Sequence, residues 1–427
     1  MKKIVASLGL LALGATGLPA INYGDLGVDA ASKRWNASLA LRGFFDDNYN
    51  TRADGPDKRS SPGFVVTPGA SFNLPGSRTH FSSLLNYSMI YYQDREINKV
   101  DQNIELGMKL NHKFTERYTL RAEDLFTYSS EPELIDLTGT VTVPIRGDSD
   151  GMRNLAPIEF DLQLTRLFSV VLGYQNLWYN YLDTGVGSYS ALLDRFEQDF
   201  RFDARWQLRP TTVGLIGYTF GLVNYTSSDP LSVTPSPVPG APPEELTSDT
   251  RNSISHNLYT GFEHSFTTAL KLEVRVGVNY YDYAEANSSS LSPSFNLALN
   301  YLYLPGSSIR FGINQARNAT DNVGSGTSAE TIALDQDTTT VYASLHHRIT
   351  AKLTGGVNVL LQHSVYNGGL TLDGQADDYV TASLSLIYRF NRNWSSDIEY
   401  SHYEFISDDA TRSYSRNRIA AGVRVLY

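Results

Sequence analysis

Cysteine is absent from the 427 residues, which excludes a disulfide scaffold, a thiolate metal site, a cysteine nucleophile and a lipoprotein anchor. Beyond the N-terminus no apolar run approaches the roughly 20 residues that a membrane helix needs, and the mean hydropathy is −0.27. Basic runs are also missing. Lys and Arg total 35 against 45 Asp and Glu, a formal charge of −10, so nucleic acid is not an expected partner. Catalytic patterns are scarce. The DSDG at 148–151 supplies half a calcium loop without its closing Glu and reads as a turn. His346-His347, Ser255-His256 and His363-Ser364 are sequence neighbours, which point to opposite faces of a strand and cannot share one ion or one substrate. His402, Glu399 and Glu404 can be fitted to a hydrolase site at a strand end, but no spacing singles them out. No enzyme, metal or cofactor is expected.

Aromatics and alternation are abundant instead: 27 Tyr, 19 Phe and 4 Trp. Arg195 to Leu208 reads RFEQDFRFDARWQL. One alternate set is Phe196, Gln198, Phe200, Phe202, Ala204, Trp206 and Leu208; the other is Arg195, Glu197, Asp199, Arg201, Asp203, Arg205 and Gln207. On a strand these sets form one apolar and one charged face. At roughly 3.4 Å per residue the segment reaches about 46 Å, enough to cross a tilted path through a bilayer core about 30 Å thick. A long amphipathic strand of a soluble sheet is the alternative.

The rest of the chain repeats the unit. Strands are predicted from Trp35, up to Leu74, over 79–94 and 102–114, then near 118–129, 156–167, 168–181, 191–208, 212–226, 252–265, 269–284, 292–303, 308–318, 337–348, 353–367, 378–390, 394–405 and 414–427. Two strands blur the pattern: His256 and Thr260 fall on an apolar set, and 168–181 is apolar on both faces. Short connections such as LPGS at 74–77 and 304–307 alternate with longer ones at 130–155, 227–250, 319–335 and 368–377. The Pro-rich 227–250 reads as an extended loop without strand. Sorting loops by length onto two rims is the behaviour of an up-and-down barrel in an outer membrane. Tyrosines and tryptophans near strand ends (Tyr87, Tyr91, Tyr92; Trp178, Tyr179, Tyr181; Tyr280, Tyr281, Tyr283; Tyr301, Tyr303) suit its interfacial girdles.

The predicted organisation is a signal peptide over 1–20, a periplasmic linker over 21–34 and an all-β, antiparallel transmembrane β-barrel of about 18 strands (16–18) over 35–427. Lys2 and Lys3 followed by an apolar run to Leu18 carry the signal reading; an anchor helix is its alternative. The last strand, RIAAGVRVLY, puts Ile419, Ala421, Val423, Val425 and Tyr427 on one face. Gly422, Val423, Val425 and the terminal Tyr427 resemble the signal read by the barrel-assembly machinery. The expected location is a bacterial, Gram-negative outer membrane, with its lipid and lipopolysaccharide as partners.

A barrel of this size leaves an aqueous channel. Arg195, Glu197, Asp199, Arg201, Asp203 and Arg205, with Lys271, Glu273 and Arg275, are predicted to line it, either as a field that biases solutes or as cross-strand pairs that stiffen a wet wall. The loop 130–155, with Glu131, Glu133, Asp136, Arg146, Asp148 and Asp150, is a candidate constriction by its position as third external loop; a plain surface loop is the alternative. A structural or adhesive barrel with a closed lumen competes with the channel, and a membrane-embedded hydrolase is the third reading.

LALRGFFDDNYNTR (39–52) and the following VVTPGASFNLPGSRTHFSSLLNYSMIYY resemble the start of the β-barrel porin family associated with exopolysaccharide operons. In that family an aromatic-Asp-Asp-Asn segment follows the first strand, matched here by Phe45, Asp46, Asp47 and Asn48. The resemblance implies an outer-membrane conduit for a secreted polysaccharide, with polysaccharide-secretion components as partners.

Overall fold

The computed structural model describes residues 34–427 except 131–149, 237, 239, 321, 324–327, 329–330 and 370–371. The signal, all but the last residue of the linker, and Glu131, Glu133, Asp136, Arg146 and Asp148 of the candidate constriction lie outside the described residues.

Eighteen strands form one antiparallel sheet closed on itself. They are β1 (Trp35–Asp46), β2 (Ser61–Leu74), β3 (Thr79–Tyr92), β4 (Val100–Lys113), β5 (Tyr118–Ser129), β6 (Gly151–Gln163), β7 (Phe168–Tyr181), β8 (Arg195–Arg209) and β9 (Thr212–Tyr225), then β12 (Ser253–Ser265), β13 (Leu270–Tyr283), β14 (Ser288–Leu304), β15 (Ser307–Asn318), β16 (Ala333–Arg348), β17 (Leu353–Gly368), β18 (Ala376–Arg389), β19 (Trp394–Ser407) and β20 (Tyr414–Leu426). A separate hairpin, β10 (Pro230–Thr234) and β11 (Glu244–Thr247), stands between β9 and β12. Each barrel strand pairs with its sequence neighbours, and β20 returns to β1 in a register that puts Leu39 opposite Val425. Closure matters because an open edge would leave backbone groups unpaired in lipid.

Alternation sorts side chains as the residue types require. On β1, Trp35, Leu39, Leu41 and Phe45 are exposed on the convex side, while Asn36, Arg42 and Asp46 are buried on the concave side. On β8 the exposed set is Phe196, Phe200, Phe202, Trp206 and Leu208, with the charged set turned inward. The aromatic pairs split by the same parity. Tyr91, Trp178 and Tyr280 face outward as a girdle residue should, but Tyr92, Tyr179, Tyr181 and Tyr283 are buried inside. Adjacent ring-bearing residues on a strand cannot both meet lipid.

One rim consists of connections of two to four residues and the other of mostly longer ones. The alternation is not strict, since β13 and β14 are joined by only 284–287 on the long rim. Other boundaries also shift. β6 begins at Gly151, so the third long connection ends at Asp150, and β8 begins at Arg195 because Tyr189–Leu193 forms a helical turn, α1. Within 227–250 the segments Pro230–Thr234 and Glu244–Thr247 pair as β10 and β11, in contrast to the strand-free loop expected.

The Phe-Asp-Asp-Asn segment clasps the closing seam. Buried Asp46 accepts from Arg416 Nε at 3.1 and 3.0 Å, and Arg418 stacks on Phe44 at 4.2 Å. Asp47 accepts the backbone N–H of Asn417 at 2.6 Å and its side-chain amide at 2.7 Å. Asn48 donates to Ser415 O at 2.7 Å and to Arg52 O at 2.8 Å. Three consecutive polar residues thus tie the first strand's exit to the last strand.

Candidate functional site: the inner wall and the long-loop mouth

The inward face of β8 carries a row of charge-assisted contacts. Arg195, buried, donates to Glu197 at 2.6 Å and to Leu193 O at 2.9 Å, and stacks on Tyr179 at 4.0 Å. Arg201 pairs with Glu159 on β6 and lies 3.6 Å from Asp203. Arg205 pairs with Glu263 on β12, and Arg275 with Glu273 at 2.8 Å. Asp203 accepts from Tyr259, and Asp199 and Lys271 lie on the same inward face. Seven of the nine predicted wall residues therefore meet an opposite charge, most of them on their own strand, with Arg201 and Arg205 reaching the next strand but one.

Three contacts to the next strand but one pass over a glycine of the strand between, whereas Arg205 and Glu263 meet over Leu215 and Val213. Arg201 and Glu159 both stand opposite Gly173. Tyr259 and Asp203 both stand opposite Gly217, and a Cβ there would collide with the tyrosine ring and the carboxylate. At the seam, Arg42 reaches Asp397 across Gly422, and Glu399 lies 3.4 Å from the same guanidinium. Gly422, read from sequence as part of an assembly signal, has this second place under Arg42.

The long-loop mouth is crossed by the connection 182–194. Ser188 caps α1 by accepting from Ala191 N at 3.1 Å, and Asp183 accepts from Tyr189 N at 2.8 Å and Ser190 N at 3.3 Å. Asp194 accepts from Tyr181 N at 2.6 Å and Ser190 Oγ at 2.7 Å; burial raises its pKa above the usual carboxylate range, opposed by those hydrogen bonds. Leu193 packs on Leu155, Leu177, Tyr179 and Tyr181 of the wall, while Ala191 packs with Leu231 and Leu246 of the hairpin and with Val323 and Ile332. Arg251, 1% exposed, donates to Thr320 O at 3.0 Å and to Leu192 O, and stacks on Tyr225 at 4.2 Å, so one guanidinium ties three connections together. A cavity of about 330 Å³ is lined by Asp183, Gly187, Ser188, Tyr189, Leu192, Asn322 and Arg412. Arg412 belongs to the β19–β20 connection, nearly opposite β7–β8 around the barrel, and donates to Tyr366 at 2.6 Å and Asp377 at 3.0 Å.

The sequence points to 130–155 as a constriction, of which 131–149 lie outside the described residues, and gives no direct signal for 182–194. The missed signal was β7, apolar on both faces. Its inward Leu177, Tyr179 and Tyr181 would be out of place against water and instead pack with Leu193, Tyr189 and Leu192 of α1. Asp150, the one described member of the proposed constriction set, accepts from Tyr128. His256, on an apolar set, bonds Tyr218 at 2.7 Å among outward rings. Glu399 faces inward to Arg42, while His402 faces outward to Asn417 at 2.9 Å and to Glu404 at 3.8 Å, so of the three only His402 and Glu404 meet. Among the described residues no group of three His, Cys, Asp or Glu could hold a metal ion.

Residues 243–427 match the family described as "Putative beta-barrel porin 2"; the Phe45–Asn48 segment lies outside that match. No curated protein matches the sequence. Among solved structures, the chain is similar to the outer membrane channel DcaP of Acinetobacter baumannii (12% identity, 92% of this chain and 97% of that chain, TM-score 0.45). It is similar to OccAB4 of Acinetobacter baumannii (9% identity, 92% and 99%, TM-score 0.44) and to the ferric enterobactin receptor PfeA of Pseudomonas aeruginosa (10% identity, 92% and 80%, TM-score 0.46).

Proposed function

We propose that this porin-like barrel is a passive outer-membrane channel for charged solutes, narrowed at its long-loop mouth by the connection 182–194. The observation that carries the reading is the inward row of β8, where charges stand opposite an apolar outer face on a closed sheet. Such a wall is wet and polar, needs no cofactor, and passes solutes by diffusion. Glu399 and His402, on opposite faces, support a non-catalytic reading.

Export of an exopolysaccharide is the finer form of this reading. The inward tyrosines lie under arginines, Tyr92 beneath Arg95 at 4.0 Å and Tyr281 beneath Arg317 at 4.9 Å. Both guanidinium groups are taken up by carboxylates, Arg95 by Asp101 and Arg317 by Asp337, so a polymer would slide along a wall of closed ion pairs. In planar bilayers the purified protein is expected to give steady openings that an oligosaccharide reduces. A silent membrane would overturn the channel in favour of a closed structural barrel; openings insensitive to oligosaccharide would overturn the polymer alone.

A further inference from the structure

The two rims carry opposite charge. The eight short connections and the residues flanking them hold nine Lys or Arg and, among the described residues, one carboxylate side chain, Glu116. At the long rim carboxylates outnumber cations, in line with the net charge of −10. Six of the short-rim cations fall in or beside six different turns and are exposed: Arg78, Arg117, Arg166, Arg209, Lys352 and Arg392. They therefore encircle most of the barrel instead of forming one patch. Each follows or adjoins an exposed apolar side chain: Leu74, Phe114, Leu167, Leu208, Ile349 and Phe390. An apolar residue at the edge of the lipid-facing belt with a cation one to four positions away is the arrangement that sets one group in acyl chain and the other at phosphate level.

We propose that this basic collar binds the headgroups of anionic phospholipids, of the phosphatidylglycerol type, in the leaflet that meets the short-turn rim. The occupant follows from charge complementarity and from the apolar neighbours, which a soluble acidic partner would not need. The proposal rests on the outer-membrane reading above. Headgroups drawn to the collar fix the depth and tilt of the barrel and leave the acidic mouth on the other side.

Three of the four tryptophans, Trp35, Trp206 and Trp394, are exposed on the outer face near this rim, whereas Trp178 lies toward the other. Their fluorescence reports the adjoining lipid directly. Full-length protein in phosphatidylcholine vesicles is compared with brominated phosphatidylglycerol or brominated phosphatidylcholine as the quenching lipid. The anionic quencher is expected to occupy the rim about threefold over the zwitterionic one, and to lose that preference at 1 M salt, where the Debye length falls to about 3 Å. The combined variant R78Q/R117Q/R166Q/R209Q/K352Q/R392Q is expected to show none, and a W35F/W206F/W394F variant that keeps Trp178 is expected to show little. Equal quenching by the two lipids in the unmodified protein would overturn the collar, whether or not the six-fold variant folds. Quenching by neither lipid would overturn the membrane-spanning reading as well.

Discussion

Gly217 lies beneath the contact between Tyr259 and Asp203, and its missing side chain is what allows that contact. Gly217→Ala is expected to cost about 1–3 kcal/mol, as overpacking of a filled site does, and to lower the temperature at which the barrel loses its heat-modifiable gel mobility. Gly107→Ala, whose new methyl would meet only Leu125 Cδ1 at 3.8 Å, is the matched control and should leave that temperature nearly unchanged. The seam offers a second test at the same scale. Asp46 is fully buried and Arg416 nearly so. Arg416→Ala strands the carboxylate and is expected to cost about 3–5 kcal/mol, while adding Asp46→Ala should recover part of the loss. A double variant no more stable than Arg416→Ala would show that the pair does not act as a unit.

Between residue and barrel, the element that decides behaviour is the connection 182–194. Its helical turn is too short to hold itself, so its position comes from Leu193 on the wall, Ala191 on the hairpin and the Arg251 hydrogen bonds. Arg251→Ala leaves the Thr320 and Leu192 carbonyls without that donor and is expected to loosen the mouth by about 2 kcal/mol, read as larger or noisier conductance steps. Asp194 adds a pH term. Its pKa is raised by burial, so its protonated form favours the packed connection: that contribution is complete below the ordinary value of 3.8 and fades as pH rises through the raised one. Conductance should climb over that acid window, and Asp194→Asn should flatten the climb. Asp183, whose charge also raises the Asp194 pKa, and Arg195, whose charge lowers it, are left in place in this comparison.

For the molecule as a whole, the ion pairs of the wall cancel much of its own field, which leaves the rims to set any ion preference. A carboxylate-rich mouth concentrates cations, by an effect that salt screens over about 10 Å at 0.1 M. Under a salt gradient the reversal potential is expected to show modest cation preference at 0.1 M and almost none at 1 M. A preference for anions at low salt would contradict the charge distribution.

Alternation on β1, β8, β13 and β18 and the two classes of connection were enough to determine an antiparallel barrel of about eighteen strands, because a period of two is written residue by residue. The same period marked which residues of β8 face inward. It could not say that Arg201 finds Glu159 across Gly173, or that Asp46 meets Arg416, because those partners are brought together by register and closure, which are properties of the sheet. The mouth was the least legible part. Only packing reveals that β7 is apolar inside because α1 covers it, and only the circular strand order brings Arg412 near Asp183 from almost the other side of the barrel.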